Sequence, residues 1–375
     1  MRFETIAVHA GRELEINENE PITPPIILST VFERAQDASY KHNLSYTRDT
    51  NPNRHWVESA LAALEGGAKA AAFASGSAAT HAVLQALEPG DHVIATSGYY
   101  GTTKLLKQIM KPWGIDATVM DTSDLAQLEK AITKKTRLMW IETPSNPMIK
   151  ITDIAAVAKL AHAAGAKLVV DNTTATSVFQ RCFDLGADLV MHSTTKYLSG
   201  HSDVLGGAII SKEDDAFFGR IHVLQETGGA VPSPFDCYLL HRGIKTLALR
   251  VRQQAANALA LTTYLSQHPK VERALYPGLP SHSGHDIAAR QMKGGFGGLF
   301  SFQVKGGAAE ALKVAAGMRL IRRATSLGGV DTTLEHRASV EPPNYGTPEN
   351  LLRVSTGIEH IDDLREDFEQ ALQGI

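Results

Sequence analysis

The sequence predicts an α/β fold, with a mostly parallel central sheet followed by a smaller α+β unit toward the C-terminal end. Two observations carry this. From about residue 55, short apolar runs of strand length alternate with helical stretches, which implies βαβ units and a sheet buried on both faces. Near Gly243 that alternation gives way to long helical stretches. A chain of 375 residues is also too long for one ordinary core and points to roughly two domains.

Taken in order, residues 1–44 are polar, interrupted by Pro21, Pro24 and Pro25, and show little periodicity. They read as an extended arm that must lie on something, and a neighbouring subunit is a reasonable support. His55–Leu64 has helical spacing and ends at Gly66-Gly67. Residues 68–74 are small and apolar, and Gly76 then opens the helical run Ala78–Leu87. Asp91–Ala95, Asp116–Met120, Arg137–Glu142, Lys167–Asp171 and Asp188–His192 are the strand candidates, with helices such as Ile154–Ala164 between them, the latter stopped by Gly165. Beyond Gly243 come the helix Thr246–His268, the strand Leu299–Val304 and the closing helix Ile361–Leu372. The division expected is an arm over 1–44, a large α/β domain over 45–243 and a C-terminal α+β domain over 244–375.

Composition narrows the function. Hydrophobic residues make up 43% and charged residues 21%, the balance of a soluble globular protein. A formal net charge of -3 gives no basic face for nucleic acid or an anionic membrane. No apolar run approaches the ~20 residues of a membrane span, and the start lacks a signal peptide's hydrophobic core, so the cytoplasm is the expected location. The two cysteines, Cys182 and Cys237, belong to no CxxC and sit near no histidine cluster in sequence. They read as packing residues rather than a disulfide or zinc site.

The chemistry gathers at strand ends. Three successive strand candidates close on polar side chains: Glu142-Thr143, Asp171-Asn172 and His192-Ser193. In an open parallel sheet, ligands bind outside the carboxyl ends of the strands. One such residue would mark only where a strand reaches solvent. Three in a row, followed by Lys196 in a Ser/Thr/Gly-rich loop, argue for a ligand. A lysine that is partly buried near another cation loses its proton readily and can form an imine. Hydroxyls and amides before it suit a phosphate, and Asp171 suits a protonated pyridine nitrogen. Gly76, in Ala74-Ser75-Gly76-Ser77, adds a strand-to-helix junction where free amides favour an anion. The pattern fits pyridoxal 5′-phosphate (PLP) carried on Lys196, with a small amino acid as substrate.

These residues resemble the Cys/Met-metabolism (trans-sulfuration) family of PLP-dependent enzymes. The resemblance runs from Thr5–Gly11 to Leu352–Glu359. Its strongest blocks are Glu142–Pro147, Val170–Thr173, His192–Gly207, Pro234–Leu239 and Ser326–Gly329. It implies the aspartate-aminotransferase-like fold (fold type I). It also implies Lys196 as imine lysine and proton shuttle, Asp171 as partner of the ring nitrogen, and Tyr100 stacking on the ring and deprotonating the amine. Gly76 and Ser77 through amides, with Ser193 and Thr195 through hydroxyls, would hold the phosphate. Tyr46 and Arg48 would reach the phosphate of a neighbouring subunit within a homotetramer built as a dimer of dimers. Arg353, with Ser326 and Asn146, would bind the substrate carboxylate, for which a planar guanidinium is suited. His192, His201 and His336 are read as hydrogen-bonded scaffold.

The activity implied is γ-carbon chemistry of cystathionine γ-lyase or γ-synthase type. Cystathionine β-lyase, methionine γ-lyase and O-acetylhomoserine sulfhydrylase are the enzymatic alternatives. A non-catalytic PLP-binding regulator on the same scaffold is an alternative of another class. Four departures from the family pattern fall where side-chain recognition is expected. Ser77 replaces a methionine, Thr174 an aromatic residue, and Thr325 a glutamate frequent in γ-acting members. Glu335–Pro343 replaces a longer segment over the substrate entrance.

Overall fold

The computed structural model describes residues 1–11, 21–98, 100–341 and 346–375. A seven-stranded sheet comprises β1 (Lys69–Phe73), β2 (His92–Thr96), β3 (Asp116–Met120), β4 (Thr136–Glu142), β5 (Lys167–Asp171), β6 (Leu189–His192) and β7 (Gly207–Ser211). Their spatial order is β1-β7-β6-β5-β4-β2-β3. Five expected strands are present within a residue or so of their sequence bounds; β2, β4, β5 and β6 are largely buried apolar runs, whereas β3 is a part-exposed edge strand. β7 is the exception to the parallel reading: it runs antiparallel to both β1 and β6. Its short, glycine-led sequence carried no signal of direction.

The period of two along each strand divides the core between the two faces of this sheet. Leu168, Val170, Met139 and Ile141 face a cluster with Leu61, Leu64, Ile154 and Val157. Val169, Leu138 and Trp140 face the opposite cluster with Val83, Leu84, Phe218 and Ile221. The helices that supply those residues are defined locally. Pro52–Glu65 starts with Asn51, whose side chain accepts from the Asn53 amide, and ends at Gly66. Ile154–Ala163 is capped by Asp153, which accepts from the Ala156 amide.

A second sheet holds β8 (Val271–Leu275), β9 (Leu299–Val304), β10 (Arg322–Arg323), β11 (Thr333–His336) and β12 (Leu351–Ser355), in the order β10-β11-β12-β9-β8. Its buried face packs Phe300, Phe302 and Val354 on Leu261, Leu265, Leu364 and Phe368 from the helices Leu247–Gln267 and Ile361–Leu372. Each such side chain contributes roughly 1.5–3 kcal/mol when fully buried. Among the described residues, no helix is long and apolar enough to cross a membrane.

The N-terminal segment differs from an extended arm at its start. Phe3–His9 is helical, with Ala7 buried, and Phe3 and Ile6 packed on the core beneath the large sheet. Further on, the chain near Pro25–Thr30 is tied to its own body by polar bonds. Asn53 takes the Ile27 amide at 2.9 Å and donates to the Pro25 carbonyl at 2.9 Å. The apolar side chains there point outward: Ile22, Leu28 and Val31 are 82%, 70% and 62% exposed.

Candidate active site

A cavity of about 390 Å³ opens at the carboxyl ends of β4 and β5 and is closed on its other side by residues of the second sheet. Its lining includes Gly76, Ser77, Asn146, Asp171, Ser193, Thr195, Lys196, Ser326 and Arg353. The structure therefore brings nine of the twelve sequence-derived site residues to one space. Tyr46 and Arg48 stand apart from it. Tyr46 is half exposed, with the Arg48 guanidinium 5.6 Å from its ring centre, and Arg48 donates to the Glu226 carbonyl at 2.6 Å. The Tyr100 side chain lies outside the described residues, as do Pro342 and Pro343.

The floor comes from the large sheet. Asp171 ends β5 and accepts from the Thr173 amide at 3.0 Å. Burial pushes its carboxyl above the usual range, while Thr173 and the nearby His192 act in the opposite direction. Among the described residues no cation forms an ion pair with it. Lys196 follows β6 in a turn where Thr195 is engaged and Thr194 Oγ1 is buried without a partner. Thr195 Oγ1 donates to the Gly206 carbonyl at 3.1 Å and accepts from its amide at 3.0 Å, whereas Ser193 uses its amide on Thr173 at 2.9 Å. Lys196 Nζ donates to Ser326 Oγ at 2.6 Å. Burial, then the Arg353 charge, brings the Lys196 amine down to about 8, against the opposing pull of Glu335.

His192, the third polar strand end, turns away from the cavity. It lies 2.5 Å from Glu65, both side chains fully buried. This is the scaffold role read from the sequence, and Glu65 is the partner it needed.

The loop that carries the lysine is anchored from behind. The buried Arg250 donates to the carbonyls of Tyr197 at 2.7 Å, Leu198 at 3.4 Å and Gly243 at 2.7 Å. Gly200 is required beside it: its φ is +73°, and a Cβ there would lie 1.8 Å from Arg250 Nη1.

The opposite wall comes from β11, β12 and the loop before them. Arg353 is only 3% exposed. Its Nη1 donates to Asn146 Oδ1 at 3.2 Å, and its Nη2 to the Ser326 carbonyl at 2.8 Å and Glu335 Oε2 at 2.6 Å. Burial, partly offset by Glu335, brings its guanidinium down to about 10. Its Nε is buried with no partner. Ser326 holds a φ of +85°, a strained left-handed conformation for a side-chain-bearing residue, and from it presents its hydroxyl to Lys196 and its carbonyl to Arg353.

Sequence reasoning placed Glu142 at a ligand-facing strand end without giving it a role, and missed Thr102, Leu205 and Arg337 as lining residues, and Glu335 behind them. Glu335 sits directly opposite Arg353 in the β11–β12 register, a cross-strand charge pair that becomes readable only once that pairing is known. Three departures from the family pattern, Ser77, Thr174 and Thr325, all line the cavity.

A phosphorylated pyridine aldehyde fits this chemistry. The amides of Gly76 and Ser77, first in the helix Gly76–Gln85, have no intrahelical acceptor, and Ser75 takes only the Ala78 amide. A Cβ at Gly76 would stand 3.2 Å from Ser193 Oγ, crowding the same cradle. The half-buried carboxyl of Asp171 lacks a cation, and the Lys196 amine is brought toward neutrality.

Such a floor and wall, on a largely parallel sheet backed by a smaller one, define a fold type I PLP-dependent enzyme. The chain belongs to the Cys/Met metabolism PLP-dependent enzyme family, which it matches over residues 4–373. It is 44% identical to a cystathionine gamma-synthase of Mycobacterium bovis, with 98% of this chain and 96% of that protein covered. It is 43% identical to a cystathionine gamma-lyase of Dictyostelium discoideum, covering 98% and 97%. The crystal structure of metB from Corynebacterium glutamicum superposes with a TM-score of 0.96 at 42% identity, covering 100% of this chain and 98% of that one.

Proposed function

We propose that this chain acts at the γ-carbon of a sulfur amino acid or an activated homoserine, as a cystathionine γ-synthase or γ-lyase does. The observation that carries the reading is the convergence of Lys196, Asp171, Ser326 and Arg353 on one cavity, together with relatives that bear both names.

The residues divide the work. Gly76 and Ser77 through amides, and Ser193 through its hydroxyl, hold the phosphate; Thr195 joins them by releasing the Gly206 carbonyl. Lys196 would hold the aldehyde carbon, and Asp171 would pair with the ring nitrogen and keep it protonated. Bound there, the cofactor supplies an electron sink for negative charge developed at the substrate α-carbon. Arg353 orients the substrate α-carboxylate, and Asn146 and Ser326 fix the guanidinium. Once freed, Lys196 moves protons between Cα and Cβ so that a γ-substituent can depart. The part expected of Tyr100, stacking on the ring and taking the proton of the incoming amine, falls on a side chain outside the described residues.

The active unit is at least a dimer. Tyr46 and Arg48 serve the phosphate of a second copy, and residues 21–44 lie on that copy; the outward Ile22, Leu28 and Val31 support this. Two such dimers form a tetramer.

The test is a panel of cystathionine, methionine and homoserine esters, with products identified by mass spectrometry. Release of 2-oxobutanoate from cystathionine, or a thiol adduct of the homoserine ester, supports γ-chemistry; pyruvate alone overturns it in favour of β-cleavage.

A further inference from the structure

We propose that Glu335 is a positioning residue that decides which edge of the Arg353 guanidinium is left for a substrate carboxylate. The inference rests on the reading of Arg353 given above, and deepens it.

Glu335 Oε2 is shared by two guanidinium groups. It accepts from Arg353 Nη2 at 2.6 Å and from Arg337 Nη1 at 2.8 Å. Arg337 is gripped in turn by Glu341, which accepts from its Nε at 3.1 Å and its Nη2 at 2.9 Å. The four side chains alternate in charge, and each is at most 8% exposed. Both arginines line the cavity; neither glutamate does. The carboxylates are therefore braces for the wall and do not face the ligand.

Geometry follows from the brace. With Nη2 committed to Glu335 and the Ser326 carbonyl, and Nη1 donating to Asn146, Nε is the buried donor with no partner. A guanidinium is planar, so fixing two of its nitrogens fixes the direction of the third. Remove the Glu335 charge and two buried cations face one another with no anion between them. They separate, because an uncompensated buried charge is costly.

The same carboxylate acts on Lys196. Glu335 favours the protonated amine and Arg353 disfavours it. Arg337, Tyr197 and Glu341 also act electrostatically on Arg353. Loss of the Glu335 charge accordingly lowers the pH at which the Lys196 nitrogen gives up its proton.

The experiment compares the Glu335→Gln and Glu335→Asp holoenzymes with the parent in two measurements: steady-state kinetics on the substrate found by the panel, and pH titration of the cofactor absorbance. For Glu335→Gln, KM rises about tenfold, and the titration midpoint falls by about half a pH unit. Glu335→Asp keeps the charge but withdraws it by one methylene, so KM rises while the midpoint stays near that of the parent. An unchanged KM in Glu335→Gln overturns the proposal. So does a raised KM with an unmoved midpoint, which marks a packing defect alone. Should Glu335→Gln fail to fold, Glu335→Asp decides by the split between KM and kcat: a raised KM with kcat kept supports the proposal, and an unchanged KM, or a loss confined to kcat, overturns it. The titration needs no turnover, so it stands even if the γ-carbon reading fails.

Discussion

On the side of the cavity built from the large sheet, Asp171 and Lys196 each stand without an ionic partner among the described residues, one a carboxyl pushed up by burial and the other an amine brought down to about 8. On the side built from the small sheet, Arg353, Glu335, Arg337 and Glu341 form a closed chain of alternating charge. The contrast separates two ways of preparing for a ligand. The first side leaves charges unsatisfied, so that a cofactor completes them. The second satisfies its charges internally and leaves only the uncommitted N–H groups of Arg353 for a substrate that must come and go.

Four measurements can break or sharpen this contrast. The largest effect is expected for Lys196→Ala, with turnover falling roughly 10³-fold or more and borohydride reduction leaving no pyridoxyl mass on the peptide. Asp171→Asn removes the negative charge from the floor and should lower kcat about 10²-fold, the equivalent of about 3 kcal/mol, with cofactor retention read by absorbance. Third, capture of PLP by the apoprotein should quicken with pH. The lowered Lys196 amine is mostly protonated and unreactive below its value of about 8 and mostly neutral above it. Between about pH 7 and about pH 9 the rate should rise about tenfold; a flat stopped-flow profile would contradict a buried, titrating amine. The smallest effect belongs to Ser326→Ala. It deletes the hydroxyl that accepts from Lys196 at 2.6 Å but keeps the carbonyl that holds Arg353. A fall of about fivefold in kcat with little change in KM is expected, and a change confined to KM would move Ser326 to the substrate wall alone.

The floor was far more legible in the sequence than the wall. β5 has the expected bounds because a strand buried on both faces is a continuous apolar run, which Asp171 closes, and Lys196 stands in the turn after β6. The central strands of the second sheet are buried, but its edge strands are short or interrupted by charge. Val271–Leu275 alternates poorly, and β10 is two exposed arginines. Glu335 and Arg353 are separated by 18 residues, and no local pattern says that they meet. The antiparallel β7 and the helix Phe3–His9 escaped for the same reason: what defines them is the partner against which they pack.

Arg250 ties these two sides into one mechanical unit. Its guanidinium clasps the carbonyls just after the reactive lysine and the carbonyl of Gly243, while its own backbone belongs to the long helix that supports the small sheet. Any tilt of that helix would be felt as torque on the lysine loop. The position of the reactive amine is thereby referred to the small-sheet half as well as to the strand that precedes it.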